Sequence, residues 1–106
     1  MTRRAYRQPR ARRDIIEQAI YIGLDNAKAA ERFQDAVEQA EQMLAEMPGI
    51  GAPREHGRIE GLRMWRVRGF ARHLIFYREI ENGIEVIRVL HSSRDLVAVL
   101  GEHPGV

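Results

Sequence analysis

Short apolar and aromatic runs, separated by turn residues, fill the stretch from Gly61 to Leu100. Val, Ile, Phe, Tyr and Trp suit the pleated surface of a sheet. The runs therefore predict three strands, Arg63 to Arg68, Arg72 to Glu79 and Ile84 to His91. Their connections are too short for parallel crossovers, so we expect an antiparallel meander. Asn82-Gly83 predicts a type I′ turn between the last two strands, because both central residues of that turn need positive φ.

Two helices are predicted upstream, where apolar residues recur with a period of about 3.6 residues. The first runs from Arg12 to Leu24 with its apolar positions at Ile15, Ile16, Ala19, Ile20 and Ile22. The second runs from Ala27 to Met47 with its apolar face at Ala29, Ala30, Phe33, Ala36, Val37, Ala40, Met43, Leu44 and Met47. Asp25 or Asn26 can cap the second helix, and Pro48-Gly49 ends it. The link is so short that the helices should form an antiparallel hairpin.

The remaining segments complete the predicted order of elements. Ala5 to Arg7 is a plausible short strand, and Ile50 to Glu60, with its glycines, proline and charges, is expected to be an exposed loop. A short helix should close the chain after His91. The order is then β-α-α-β-β-β-α, an α+β fold in which the helical hairpin covers an antiparallel sheet. We expect one domain over residues 1–106, ending in a flexible tail from Gly101 to Val106.

Composition excludes several classes of protein. The chain of 106 residues contains no cysteine, which removes disulfide scaffolds and thiolate metal sites and is compatible with a reducing cytoplasm. No apolar run approaches the roughly 18 residues that span a bilayer, and no apolar segment follows the basic N-terminus. The sequence thus predicts a cytoplasmic protein without a membrane segment.

The basic residues are almost all arginine: of 17 Lys and Arg, only Lys28 is lysine. A GC-rich genome would raise arginine at the expense of lysine throughout a protein, so position is more informative than number. Two segments hold most of them, Arg3 to Arg13 and Arg54 to Arg78, while Asp14 to Met47 is acidic. Arginine suits bidentate contacts to phosphate and carboxylate. The uneven distribution favours an acidic partner bound on the sheet side.

The motifs in this order resemble the ParE branch of the ParE/RelE toxin superfamily of type II toxin–antitoxin pairs. The resemblance covers nearly the whole chain. It is carried by DIIEQAIYI, by AAERFQDAVEQAEQMLAEMPGIG, by Val67-Arg68-Gly69-Phe70 leading into Leu74-Ile75-Phe76-Tyr77-Arg78, and by Val89-Leu90-His91 leading into Arg94-Asp95-Leu96. The resemblance implies the RelE-like fold described above. It also implies that the chain is a growth-inhibiting toxin of a plasmid or chromosomal stability system.

The two branches of the superfamily imply different chemistry. RelE-like toxins cleave messenger RNA on the ribosome, which requires proton transfer and cations at the scissile phosphate. ParE-like toxins inhibit DNA gyrase and have no catalytic site of their own. Arg72 and Arg94 match arginine positions of the nuclease branch. However, Leu96 to Leu100 is apolar where several nucleases carry a tyrosine, and His91 is the only local candidate base, so the sequence favours gyrase inhibition. An RNA-cleaving enzyme and an inactive toxin-like binding module remain the alternatives.

Candidate binding residues follow from the same segment. For contacts to the target or to the antitoxin we select six: Arg66, Arg68, Phe70, Arg72, His91 and Arg94. Each has a structural alternative, such as ion pairing for the arginines and a hydrogen-bonding role for His91. Arg78 and Arg88 are expected to pair with the carboxylates of Glu79, Glu81 and Glu85 instead. Trp65 and Val67 should point the opposite way from Arg66 and Arg68, toward the helices.

No catalytic residue, cofactor or metal is expected. His56, His73 and His103 are scattered without the pairing that a metal site needs, and Asp95 is assigned to the start of the last helix. The resemblance implies a ParD-like antitoxin whose disordered tail folds onto the toxin. We expect that tail to follow the exposed apolar positions of the helical hairpin and the arginines of the sheet, in a toxin–antitoxin hetero-oligomer.

Overall fold

The computed structural model describes residues 2–55, 58–94, Leu96 and Val99. Its elements in chain order are β1 (Arg4–Arg7), α1 (Pro9–Asp25), α2 (Ala27–Glu46), a 3₁₀ helix (Pro48–Ile50), β2 (Ala52–Pro53), β3 (Arg63–Val67), β4 (Phe70–Ile80) and β5 (Gly83–His91). This order confirms the α+β fold. Leu96 and Val99 are helical, but most of the predicted closing helix, its Asp95 and the tail lie outside the described residues.

One five-stranded sheet has the order β1-β5-β4-β3-β2. The pairs β3–β4 and β4–β5 are antiparallel, which confirms the predicted meander. The sheet as a whole is mixed rather than antiparallel, because β1 pairs in parallel with β5. No tight turn joins β1 to β5, since the helices and the meander lie between them in the chain. Their relative direction is therefore free of the constraint that makes hairpin strands antiparallel.

The turn between β4 and β5 differs from the prediction. Ile80 pairs with Gly83, so the two central residues are Glu81 and Asn82. Among the described residues only glycines have positive φ, which excludes the type I′ turn expected at Asn82-Gly83. Gly83 serves another purpose. A Cβ at this position would overlap the backbone carbonyl of Arg4, so glycine is what allows β1 to approach the start of β5.

The helical hairpin forms as predicted, but α1 begins at Pro9 rather than at Arg12, with the proline in its first turn. The side chain of Asn26 caps α2 by accepting a hydrogen bond from the amide of Ala29 at 3.0 Å. The prediction for the buried face of α1 was partly wrong. α1 buries Ala11, Asp14, Ile15 and Ala19. Ile16 and Ile20 are exposed. The helix is rotated so that Asp14 faces the sheet, and this rotation turns the two isoleucines toward solvent.

Apolar side chains fill both faces of the sheet. Trp65, Val67 and Ile75 pack under the helices, which confirms the expected direction of Trp65 and Val67. On the outer face, Leu74, Phe76, Ile87 and Leu90 pack with Leu62, Val99 and Ile59. The segment from Ile50 to Glu60 is therefore not simply an exposed loop: Ile59 is buried in the outer cluster, and Ala52–Pro53 pairs with β3 as an edge strand.

Candidate functional site

All six residues selected from the sequence lie at one end of the sheet. This is the end where β3 finishes, β4 begins and β5 finishes. Arg68 is in the β3–β4 turn, with Arg66 just before it. Phe70 and Arg72 begin β4, and His91 ends β5. The amide of Arg94 donates to the carbonyl of His91 at 3.0 Å, which keeps the backbone of Arg94 at the same end.

We call the four exposed arginines of this group, Arg66, Arg68, Arg72 and Arg94, the basic end. The guanidinium of Arg66 donates to the carbonyl of Ala71 at 2.9 Å. None of the four forms an ion pair within the part of the chain that the structure describes. Exposed guanidinium groups without carboxylate partners remain available to phosphate or carboxylate groups of another molecule.

The six residues are nevertheless divided between two faces. Phe70 stacks edge-on against Phe33 of α2, with 5.3 Å between ring centroids, and His91 meets His73 at 5.1 Å on the same helix side. Arg66 is paired with Leu74, whose side chain packs on the outer face. Arg72 alternates with His73 along β4 and points outward as well.

A register shift explains why Phe70 lies on the helix side although it alternates with outward-facing Arg72 and Leu74. Arg66 pairs with Leu74, while the next residue, Val67, pairs with Phe70. The three residues of β4 between Phe70 and Leu74 therefore have no partner in β3, and the two strands separate at this end. Bulges of this kind re-aim side chains and are common beside functional sites.

Other arginines of the sheet are held by structural contacts. Arg78 pairs with Glu85 at 2.8 Å, as expected. Arg88 does not pair with the hairpin carboxylates, which corrects the prediction. It lies under α1, where it donates to both carboxylate oxygens of buried Asp14, at 2.7 and 3.0 Å. Because the middle of the outer face is apolar, the sheet is not lined with arginine, and the exposed arginines of the segment from β3 to β5 belong to the basic end.

Two histidines meet on the helix side of this end. His73 lies directly across from His91 in the β4–β5 pairing. Nδ1 of His73 is 2.6 Å from Oε1 of Gln18, whose amide nitrogen donates to the carbonyl of Val89 at 2.6 Å. The orientation of that amide makes Nδ1 of His73 the donor. Burial lowers the pKa of His73 below its ordinary value of 6.5, and the nearby His91 lowers it further.

His91 has the opposite arrangement. Its Nδ1 accepts from the backbone amide of Ser93 at 3.1 Å and lies 2.8 Å from the Ser93 hydroxyl. An accepting Nδ1 places the proton of the neutral ring on Nε2. The neutral forms of the two imidazoles are therefore different tautomers. Nδ1 of His73 donates to Gln18, whereas Nδ1 of His91 accepts from the amide of Ser93.

A cleft of about 550 Å³ opens beside these histidines. Gln18, Tyr21 and Ile22 of α1 form one wall. The junction between α1 and α2 contributes Asp25, Asn26 and Ala29. The end of the sheet contributes His73 and His91, with Ser93 just after β5.

His73 was not selected from the sequence. A turn centred on Asn82-Gly83 would have placed His91 opposite Leu74. The actual turn, together with the register shift between Phe76 and Tyr77, places it opposite His73.

An exposed apolar stripe runs along α1. Its members lie one helical turn apart or next to each other: Ile16, Ile20, Tyr21 and Leu24. We call this set the α1 stripe. Exposed Arg10, Arg12 and Arg13 precede it, and they form no ion pair with any described residue. A contiguous apolar patch beside unpaired charge is typical of a surface that binds another protein.

No group of three or more His, Cys, Asp or Glu side chains among the described residues could hold a metal ion. Among the described helices, none combines the length and apolar character needed to cross a membrane.

Comparison with known proteins gives a family and a fold. A family model described as the ParE toxin of the type II toxin-antitoxin system parDE matches residues 7–96. A solved structure of the chromosomal ParDE TA system from P. aeruginosa is similar, with a TM-score of 0.65 and 22% sequence identity over 85% of this chain and 96% of that one. Comparison with curated proteins gives no match.

Proposed function

The chain belongs to the ParE toxin family of type II toxin–antitoxin systems, and we propose that it arrests growth by binding and inhibiting DNA gyrase in the cytoplasm. The basic end is the proposed contact surface for the target. It presents arginines that no described carboxylate neutralises, while Phe70 and His91 lie at the same end of the sheet on its helix side. Charged groups of this kind steer association and fix orientation.

One observation favours binding over catalysis: His91 and the outward arginines occupy opposite faces of the sheet. RNA cleavage needs a proton acceptor and cations directed at one phosphate. His91 lies on the helix side with its Nδ1 bonded to Ser93, whereas Arg66 and Arg72 point to the outer side. This separation argues against the alternative in which the chain is a RelE-like mRNA endoribonuclease.

Gyrase inhibition and mRNA cleavage are distinguished by assaying both with the same purified protein. We expect the purified chain to inhibit supercoiling by gyrase and to accumulate cleaved DNA, while ribosome-bound mRNA stays intact. Cleaved mRNA with normal supercoiling would overturn the proposal. If the chain affects neither reaction and does not slow growth when expressed, it is instead an inactive binding module.

The second proposed partner is a ParD-like antitoxin that silences the toxin in a hetero-oligomer. The α1 stripe supports this part of the proposal, because it offers apolar anchors at helical spacing with three arginines at one end. An antitoxin segment that folds as an amphipathic helix, with carboxylates near Arg12 and Arg13, matches this surface. Because the middle of the outer sheet face is apolar and covered, we propose that the antitoxin follows the exposed apolar positions of the hairpin on α1 rather than the arginines of the sheet.

Ile16→Glu tests this surface, with Met47→Glu as the matched control. The two side chains are 49% and 50% exposed, so both substitutions should be similarly tolerated by the fold. We expect Ile16→Glu to weaken the complex with the cognate antitoxin at least tenfold and to release toxicity in co-expressing cells. Equal affinities of the two variants would place the antitoxin elsewhere.

A further inference from the structure

We propose that the cleft beside His73 and His91 binds a nucleobase, an activity separate from gyrase inhibition. At about 550 Å³ its size falls within the range of small-ligand sites, roughly 300–1,000 Å³. Aromatic rings line it at Tyr21, His73 and His91, while Ile22 and Ala29 are apolar. Such a lining suits a flat heterocycle that stacks on rings and fills apolar space.

The hydrogen-bonding groups of the cleft match the edge of a base. His73 commits the proton on Nδ1 to Gln18, so Nε2 of its neutral ring is an acceptor. His91 accepts at Nδ1 from Ser93, so Nε2 of its neutral ring carries the proton and is a donor. Neither Nε2 has a hydrogen-bond partner in the described part of the chain. Both rings line the cleft, with 5.1 Å between their centroids, and one acceptor with one donor complements the neighbouring N–H and C=O groups of a base edge.

The charge distribution indicates how the ligand lies. Asp25 is the carboxylate among the described residues that line the cleft, and it disfavours entry of a phosphate. The unpaired arginines lie outside the cleft, on the sheet end and its outer face. A nucleotide would therefore place its base in the cleft and keep its phosphate outside the cleft, away from the Asp25 carboxylate.

Free nucleosides and unpaired bases of a single strand share this chemistry, and one titration distinguishes them. The ¹⁵N-labelled chain is titrated with each nucleoside, with its 5′-monophosphate and with a single-stranded oligonucleotide, while the histidine ring signals are followed by NMR. We expect saturable shifts of the Nε2 signals of His73 and His91. Comparable affinities would identify a free-nucleoside site, and at least tenfold tighter binding of the oligonucleotide would identify a strand-binding site.

Substitutions provide the control. His91→Phe keeps a ring but removes the donor, and Tyr21→Ala removes a side chain that is 69% exposed and so is not required for folding. Each should weaken binding about tenfold, the usual cost of one good hydrogen bond or stacking contact. Tyr6→Ala, at a 47% exposed tyrosine on β1, should leave the affinity unchanged.

Three results would overturn the proposal. The first is the absence of saturable binding by any of these probes. The second is binding that His91→Phe and Tyr21→Ala leave intact. The third is binding that inorganic phosphate abolishes, because it would locate recognition at the arginines alone. Since none of these readouts involves gyrase, failure here is distinguishable from failure of the proposed function.

Discussion

Asp14 holds the most buried ion pair of the described structure. Its carboxylate accepts from the guanidinium of Arg88 and from the amide of Val89 at 3.0 Å, and the two charged side chains are only 5% and 3% exposed. A carboxylate on an otherwise apolar helix face would ordinarily be assigned to solvent. Here it fixes the rotation of α1, and through that rotation it exposes Ile16 and Ile20.

Removing Asp14 should be costly. Asp14→Ala leaves the Arg88 charge buried without a partner, and we expect it to lower the free energy of unfolding by about 3–5 kcal/mol. Glu85→Ala breaks the partly exposed pair with Arg78 and should cost only about 0–1 kcal/mol. Urea unfolding of both variants checks the contrast, and similar losses would contradict the assigned role of Asp14.

His73 should make stability depend on pH. Because burial lowers its folded-state pKa below 6.5, the unfolded chain binds a proton where the folded chain does not. The contribution of His73 to the free energy of unfolding is therefore fully present above pH 6.5 and is lost as the pH falls below that value. We expect His73→Phe to flatten this part of the profile, as measured by urea unfolding across the range. Unchanged slopes in wild type and variant would show that other groups control it.

At the scale of elements, β1 depends on the absence of a side chain at residue 83. Gly83→Ala places a methyl group on the Arg4 carbonyl, and overpacking of this kind costs about 1–3 kcal/mol. Gly49→Ala is the control, since a Cβ there meets nothing within 4 Å. Hydrogen exchange should show the amides of Arg4 and Gln8 losing protection in Gly83→Ala only. Retained protection would mean that β5 shifts to accept the methyl group.

Sequence periodicity predicted the helices and the meander because both are local patterns. It could not predict the direction of β1 or the turn at Glu81-Asn82, which depend on a neighbouring strand far away in the chain. The same limit applies to the site. Residues close together in the sequence indicated the basic end. The contact between His73 and His91, however, depends on the exact register of β4 and β5. The Arg88–Asp14 pair joins residues separated by 74 positions in the chain.

At the scale of the whole molecule, the two proposed protein-binding surfaces adjoin one another. Tyr21 belongs to the α1 stripe and also lines the cleft, which opens at the same end as the arginines. An antitoxin helix seated on the stripe would thus end beside the surface proposed for the target. We infer that neutralisation works by obstructing this end rather than by unfolding the toxin.

Titrating purified gyrase with wild type, Arg68→Glu and Arg10→Glu tests whether the basic end binds the enzyme. Arg68 is exposed in the β3–β4 turn, and Arg10 is exposed at the start of α1, away from the basic end. We predict that wild type and Arg10→Glu inhibit supercoiling equally. Arg68→Glu should require about tenfold more protein for the same inhibition, because the new carboxylate repels the acidic partner expected at the basic end. Equal inhibition by all three proteins, or no inhibition by the wild type, would show that the basic end is not a gyrase-binding surface.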